Sequence, residues 1–357
     1  MTRRYILPLA VALGLAPISG AAQSDPTDEF ILAEMERQNI PALSLAVLRN
    51  GEIVKARGYG LANIAERIPA TPRTVYKIAS VSKQFIAAGI MRLAQDGRIG
   101  LADSVREYLD DVPESWNGIT IRHLLTHTSG LARNPPGFDP FKVEPDAEMI
   151  ATAYDLPLSF APGEEAEYSN LGYFVLAEVI TRVAGRPWTE YLNETIFKPL
   201  GMDATHPTNT TIAVAERALG YADNNELREA PEWLALRPSG AFLSTVLDLA
   251  KWNAALYTDR ILTDASRREM WTPMTLADGS AAQYGLGWMV TDFAERDPPR
   301  RFKLVYHTGG MPGARSAFAR LVDEGLTIII LMNLDDVDIG AIMFGLVRLY
   351  TPVTHDT

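Results

Sequence analysis

The sequence predicts an α/β protein of the α+β kind, an antiparallel sheet of about five or more strands flanked by helices, with a mainly helical lobe inserted into it. Two observations carry this expectation. Strand-like, turn-punctuated segments occur near both ends of the chain, and the stretch between them is largely helical in periodicity. The 357 residues are 47% hydrophobic and 22% charged, enough apolar material for one large core or two joined lobes.

The elements follow in chain order. Residues 28–38 place Phe30, Ile31 and Met35 on one side of an amphipathic helix. Residues 43–48 and 53–59 read as strands joined by Asn50-Gly51, the pair that a type I′ hairpin turn prefers. Residues 81–95 form a helix carrying Phe85, Ile86, Ile90, Met91 and Leu93, which stops at Asp96-Gly97. Further helices are expected at 121–126, 171–183 and 188–196. The Pro-rich loop 134–145 reads as a surface excursion at a cleft mouth. Strands return at 285–290, 302–307, 316–322 and 327–332, and a helix spans 339–350. The lobes are expected at about 25–72 with 236–357 (sheet) and about 73–235 (helical).

Residues 1–22 read as a secretory signal, with Arg3 and Arg4 before an apolar stretch and small residues from Ser19 to Ala22. A periplasmic or secreted bacterial protein is therefore expected. The formal net charge of −11, or −13 without Arg3 and Arg4, argues against nucleic acid and anionic membrane as partners. A small-molecule or peptide substrate is the expected partner, with no stable membrane insertion after signal removal; the oligomeric state is open. With no cysteine there is neither a disulfide nor a thiol nucleophile. His123 and His127 lie four apart, but the accompanying Glu of a zinc-protease helix is missing and no third ligand is evident. A structural role, with His127 bonding loop backbone, is the better reading. No cofactor or metal is expected.

Three short motifs could carry chemistry. In Ser80-Val81-Ser82-Lys83, a serine at a helix start and a lysine three residues on share one face, so the amine can reach the hydroxyl. A helix cap beside a solvated lysine has the same spacing. Tyr168-Ser169-Asn170 offers a phenol that could shuttle protons if nearby cations lowered its pKa, and an amide that could orient a carbonyl and contact Lys83. His307-Thr308-Gly309-Gly310 ends a strand; its glycines would let a substrate backbone approach, and the Gly310 N–H could join that of Ser80 in an oxyanion hole. A plain glycine turn after a strand fits that motif equally well.

Together and in this order the three motifs resemble those of the penicillin-recognising serine enzymes, and more narrowly the class C β-lactamase-like family. That family includes D-alanyl-D-alanine carboxypeptidases, D-amino-acid peptidases and amidases, and the family VIII carboxylesterases. The resemblance runs from about residue 28 to 350 and takes in Arg122-His123-Leu124-Leu125-Thr126-His127-Thr128-Ser129-Gly130-Leu131. It implies the penicillin-binding/β-lactamase-like serine hydrolase fold. Ser80 becomes the acylated nucleophile, Lys83 its partner, Tyr168 the general acid/base and Asn170 a positioning residue, while His307 takes the third motif's cationic position. The implied function is an exported serine hydrolase cleaving an ester or amide, of carboxylesterase or D-amino-acid peptidase or carboxypeptidase type. The alternatives are a β-lactamase, an acyltransferase of the same family, or a penicillin-binding module with little turnover. The departure is His307, where β-lactamases of this kind carry Lys. A mostly neutral imidazole attracts a carboxylate less, which favours an esterase or peptidase. Arg315, eight residues on, is either a replacement charge or an exposed surface arginine.

Overall fold

A computed structural model describes residues 25–209, 213–223, 227–233, 237–296 and 299–351. The segment read as a signal, residues 1–22, lies outside the described residues.

Helix α1 (Pro26–Arg37) opens the described chain. It starts earlier than the apolar pattern because Asp25 caps it, accepting from the Thr27 N–H at 2.8 Å, and Pro26 suits the first turn. Strands β1 (Ala42–Arg49) and β2 (Glu52–Asn63) form the expected hairpin. Asn50 and Gly51 have φ of 50° and 86°, the two positive values a type I′ turn demands. A short β3 (Ile68–Pro69) follows on the outer side of β2.

Four strands near the other end complete the sheet: β4 (Met289–Arg296), β5 (Pro299–Met311), β6 (Ala314–Leu321) and β7 (Leu326–Met332). The order is β3-β2-β1-β7-β6-β5-β4, antiparallel throughout. The strand expected at 285–290 begins only at Met289. Residues 285–288 turn instead, with the Gly285 N–H bonded to the Trp288 carbonyl at 2.9 Å and Gly287 at φ 78°.

Strands β1 and β7 pair at the centre of the sheet and are buried on both faces. Their side chains divide by alternation. Leu43, Leu45, Val47, Ile328, Ile330 and Met332 join the core shared with α1 and α5 (Ile339–Tyr350). Ala46, Leu48, Ile329 and Leu331 face the larger core under α2 (Lys83–Gln95), α3 (Leu171–Ala184) and α4 (Val246–Ala255). Each fully buried Ile or Leu contributes roughly 1.5–3 kcal/mol. Periodicity missed α4, which is apolar on most sides because it is wedged between sheet and helices.

A small sheet of His206–Pro207, Phe242–Ser244 and Tyr76–Lys77 ties the chain just before α2 to the chain just before α4. No described helix is long and apolar enough to cross a membrane.

One buried carboxyl makes stability depend on pH. Asp146 accepts from Trp188 Nε1 at 2.9 Å, yet burial pushes its pKa up to about 7 against the opposing effect of that bond. A folded-state value above the unfolded one means that the native state binds the proton more tightly, so stability falls as pH rises from about 4 through 7. Asp146→Asn keeps an acceptor for Trp188 without the charge. It should raise the melting temperature at pH 8 and leave it nearly unchanged at pH 4; equal shifts at both values would refute the account.

Candidate active site

The site is built where the end of β5 meets the start of α2. Ile78 donates its N–H to the Phe242 carbonyl at 3.0 Å, and a 3₁₀ turn, Ala79–Ser82, leads into α2. Ala79 holds φ at 44°, a left-handed conformation that non-glycine residues rarely adopt and that marks a constrained turn. Ser82 is buried and accepts from the Phe242 N–H at 3.1 Å, so the second serine of the motif is structural. Ser316 on β6 donates to the Ile78 carbonyl at 2.7 Å. Ser80 itself stays partly accessible.

Beyond Tyr306, β5 has β6 on one side only, and its other edge runs beside this turn. The glycines there act differently from the expectation that both admit substrate. A Cβ on Gly309 would sit 2.5 Å from the Ile78 carbonyl oxygen and 3.0 Å from the Ser80 nitrogen, so Gly309 admits the protein's own serine turn. Gly310 is exposed, and a Cβ there would meet the Arg315 guanidinium. Arg315 is half-buried, with its guanidinium lying against Gly310.

Lys83 is fully buried, with Nζ 3.3 Å from Ser80 Oγ, 2.9 Å from Asn170 Oδ1 and 2.8 Å from the Ser239 carbonyl oxygen. Asn170 is fixed in orientation because its Nδ2 donates to Asn134 Oδ1 at 2.8 Å. The rings of Tyr168 and Tyr173 lie 4.7 and 5.1 Å from Nζ. Burial above all, then Arg237 and Arg133, holds the Lys83 pKa well below the ordinary lysine range. An amine placed this way can donate both hydrogens to Asn170 and Ser239 and turn its lone pair to the serine hydroxyl.

The phenol of Tyr168 feels the Ser80 hydroxyl, and its ring packs against His127 with centroids 4.3 Å apart. The nearby cations do act to lower its pKa, but they do not prevail. Burial pushes the phenol up, outweighing the Ser80 hydroxyl and the two arginines, so Tyr168 stays protonated. His127 uses Nδ1 to accept from the Ser169 N–H at 3.1 Å and its carbonyl to accept from the Glu167 N–H at 2.9 Å. It thereby shapes the Tyr168 loop from a left-handed φ of 60°. His123 accepts from the Thr120 N–H as part of a helix cap.

His307 is buried, and its Nδ1 lies 2.6 Å from the Thr308 carbonyl oxygen. A carbonyl only accepts, so Nδ1 carries the proton and Nε2 is left as a lone-pair acceptor without a partner among the described residues. Burial first, then Lys83, pushes the pKa down to about 3. The third motif's position is therefore neutral in this chain, not cationic.

Three neighbours escaped sequence reasoning. Asn134, in the loop read as a cleft-mouth excursion, accepts from both Asn170 and, at 2.9 Å, Arg237 Nη2. Arg133 places its guanidinium 5.4 Å from the Tyr168 ring centre. Arg237 lies with Ser80, Asn170, Trp233 and Gly310 around a small cavity of about 50 Å³. Their sequence signal was position alone: Arg133-Asn134 follows the Arg122–Leu131 run, and Asn134 opens the loop 134–145.

Residues 27–349 match the beta-lactamase family, and the chain belongs to it. Penicillin-binding protein 4* of Bacillus subtilis is 30% identical over 307 residues, 80% of this chain. The chain spans less than two thirds of the curated relatives it matches, 66% in that case. Among solved structures, the octameric penicillin-binding protein homologue from Pyrococcus abyssi has a TM-score of 0.78 at 27% identity, covering 91% of this chain and 76% of that one. D-amino acid amidase from Ochrobactrum anthropi SV3 has a TM-score of 0.76 at 26% identity, covering 91% and 99%.

The tight contact at Gly309 is testable. Gly309→Ala should force β5 away from the Ser80 turn, costing about 1–3 kcal/mol of stability as overpacking. Turnover of whatever substrate the wild type accepts should fall at least ~10-fold, because small misplacements of reacting groups are costly. Unchanged turnover and melting temperature would show that the strand does not set the turn.

Proposed function

We propose that the protein is a serine hydrolase that cleaves an ester or amide bond through an acyl-enzyme on Ser80, of carboxylesterase or D-amino-acid peptidase type. One observation carries this reading: the buried Lys83 amine, held by two acceptors, lies 3.3 Å from Ser80 Oγ. Family membership and the likeness to an amidase support the same chemistry.

In this mechanism the Lys83 amine takes the Ser80 proton as Oγ forms a bond to the substrate carbonyl carbon. The carbonyl π-electrons move to oxygen, and the resulting oxyanion is held by the backbone N–H groups of Ser80 and Gly310. The intermediate collapses and the bond to the leaving alcohol or amine breaks. The leaving atom takes a proton from the Tyr168 hydroxyl, which is refilled from the Lys83 ammonium. Water then attacks the acyl carbon, giving its proton to the same pair, and the carboxylic product leaves as Ser80 is reprotonated. A phenol that stays protonated suits Tyr168 to the acid half of this exchange, and a depressed lysine suits Lys83 to the base half.

The neutral His307 offers no charge for the carboxylate of a β-lactam, which weighs for an ester or peptide amide over efficient β-lactam hydrolysis.

Ser80→Ala should lose at least ~100-fold in turnover against a panel of p-nitrophenyl esters, D- and L-aminoacyl anilides and nitrocefin. Full activity in that variant would overturn the mechanism. The acid limb of kcat/KM should report Lys83 losing its proton. Arg237→Gln removes a cation that depresses Lys83, so the limb should move to higher pH; an unmoved limb would exclude Lys83 as the base.

A further inference from the structure

Arg237 is a cation that the fold holds beside Ser80 with no carboxylate paired to it among the described residues. Its guanidinium lies 4.3 Å from the Phe138 ring centre and 5.1 Å from that of Trp233. Nη2 donates to Asn134, and Nε is buried with no partner among the described residues. Burial pushes its pKa down to about 10, a measure of how poorly solvated the charge is. Trp233 is itself held in place, because its neighbour Glu232 pairs with Lys77 at 2.7 Å and with Arg217.

Neither Arg237 nor Arg133 has an ion-pair partner among the described residues. Both disfavour the charged form of Lys83. In a chain with 44 acidic and 33 basic residues, Arg237 and Arg133, with Arg315 against Gly310, place three arginines without an ion-pair partner among the described residues around one serine, against the average surface. A planar guanidinium packed against two rings, anchored on Asn134 and lining the cavity at Ser80 with no ion-pair partner, is a ready receptor for a carboxylate.

The position of the charge decides which half of the substrate it reads. The cavity at Arg237 also contains Ser80, Asn170, Gly240, Gly310 and Met311, whereas Tyr168 and His307 do not line it. With Tyr168 handing a proton to the leaving group, the leaving group occupies the Tyr168 side and the acyl chain the Arg237 side. We propose that the acyl half of the substrate carries a carboxylate that Arg237 receives, which makes Arg237 the specificity residue of this site. The inference rests on the acyl-enzyme reading above.

The test compares chain-matched esters in pairs: the mono-p-nitrophenyl esters of succinate, glutarate and adipate against p-nitrophenyl butyrate, pentanoate and hexanoate. Background hydrolysis is subtracted, and the quantity read is the ratio of kcat/KM, acidic over neutral, within each pair. Taking the ratio cancels any effect of Arg237 on Lys83, which both members share. The wild type should favour the acidic member of at least one pair, despite its net charge of −11, and the preference should shrink with salt. Arg237→Gln should lower that ratio at least ~10-fold, as expected for one charge-assisted hydrogen bond. Arg237→Lys should retain part of the preference. A wild type that favours the neutral member of every pair overturns the proposal without need of a variant, as does an unchanged ratio in Arg237→Gln. Ser80→Ala separates the two ideas: if it still turns over both esters, the acyl-enzyme reading fails and not the charge preference.

Discussion

The structure depends on one close approach, that of the β5 edge to the turn carrying Ser80. It brings a sheet made from both ends of the chain against a helix start from the intervening region. The approach is possible because Gly309 has no Cβ, and it is pinned by Ser316 reaching the Ile78 carbonyl from β6. Everything at the site takes its position from this seam. Lys83 is buried one turn beyond it, and Gly310 presents its backbone one residue beyond it. The left-handed Ala79 shows that the turn is held by its surroundings and not by its own preference.

Electrostatics at the seam are organised by dehydration more than by charge pairing. Lys83, His307 and Tyr168 are all displaced toward their neutral forms, and in each the first cause is burial. The result is a neutral amine, imidazole and phenol side by side, with no buried carboxylate paired to them among the described residues. The two arginines reinforce the depression of Lys83. A carboxylate in their place would hold the lysine as an ammonium and take away the lone pair that faces Ser80.

Much of this was legible in the sequence, for identifiable reasons. The hairpin at Asn50-Gly51, the late strands and the final helix were readable because turn chemistry and period coincide there. Ser80, Lys83, Tyr168, Asn170, His307 and Gly310 were found because they sit in short motifs of fixed spacing, and the structure brings them together. The start of β4 was misplaced because apolar residues 286–290 look alike whether they turn or extend; only Gly287's positive φ separates them. The protonation state of Tyr168 was not legible, because counting cations cannot weigh desolvation, which needs the surrounding shell. Arg133, Asn134 and Arg237 were invisible as a set, since their relation exists only after two loops a hundred residues apart are brought to one rim.

The pairing of β1 with β7 has a consequence for how the protein reaches this state. The two strands lie side by side at the centre of the sheet, yet Leu43 and its partner Met332 come from opposite ends of the chain. Closing so long a loop is entropically slow, and the contact is repaid only when both faces of both strands are covered. The serine turn leans on β5 and β6, which are held against β1 through β7. Assembly of the reactive centre is therefore a late event, coupled to docking of the last strands. A chain caught before that step holds a helix with a serine at its start but no site, which keeps the nucleophile inert until folding is complete.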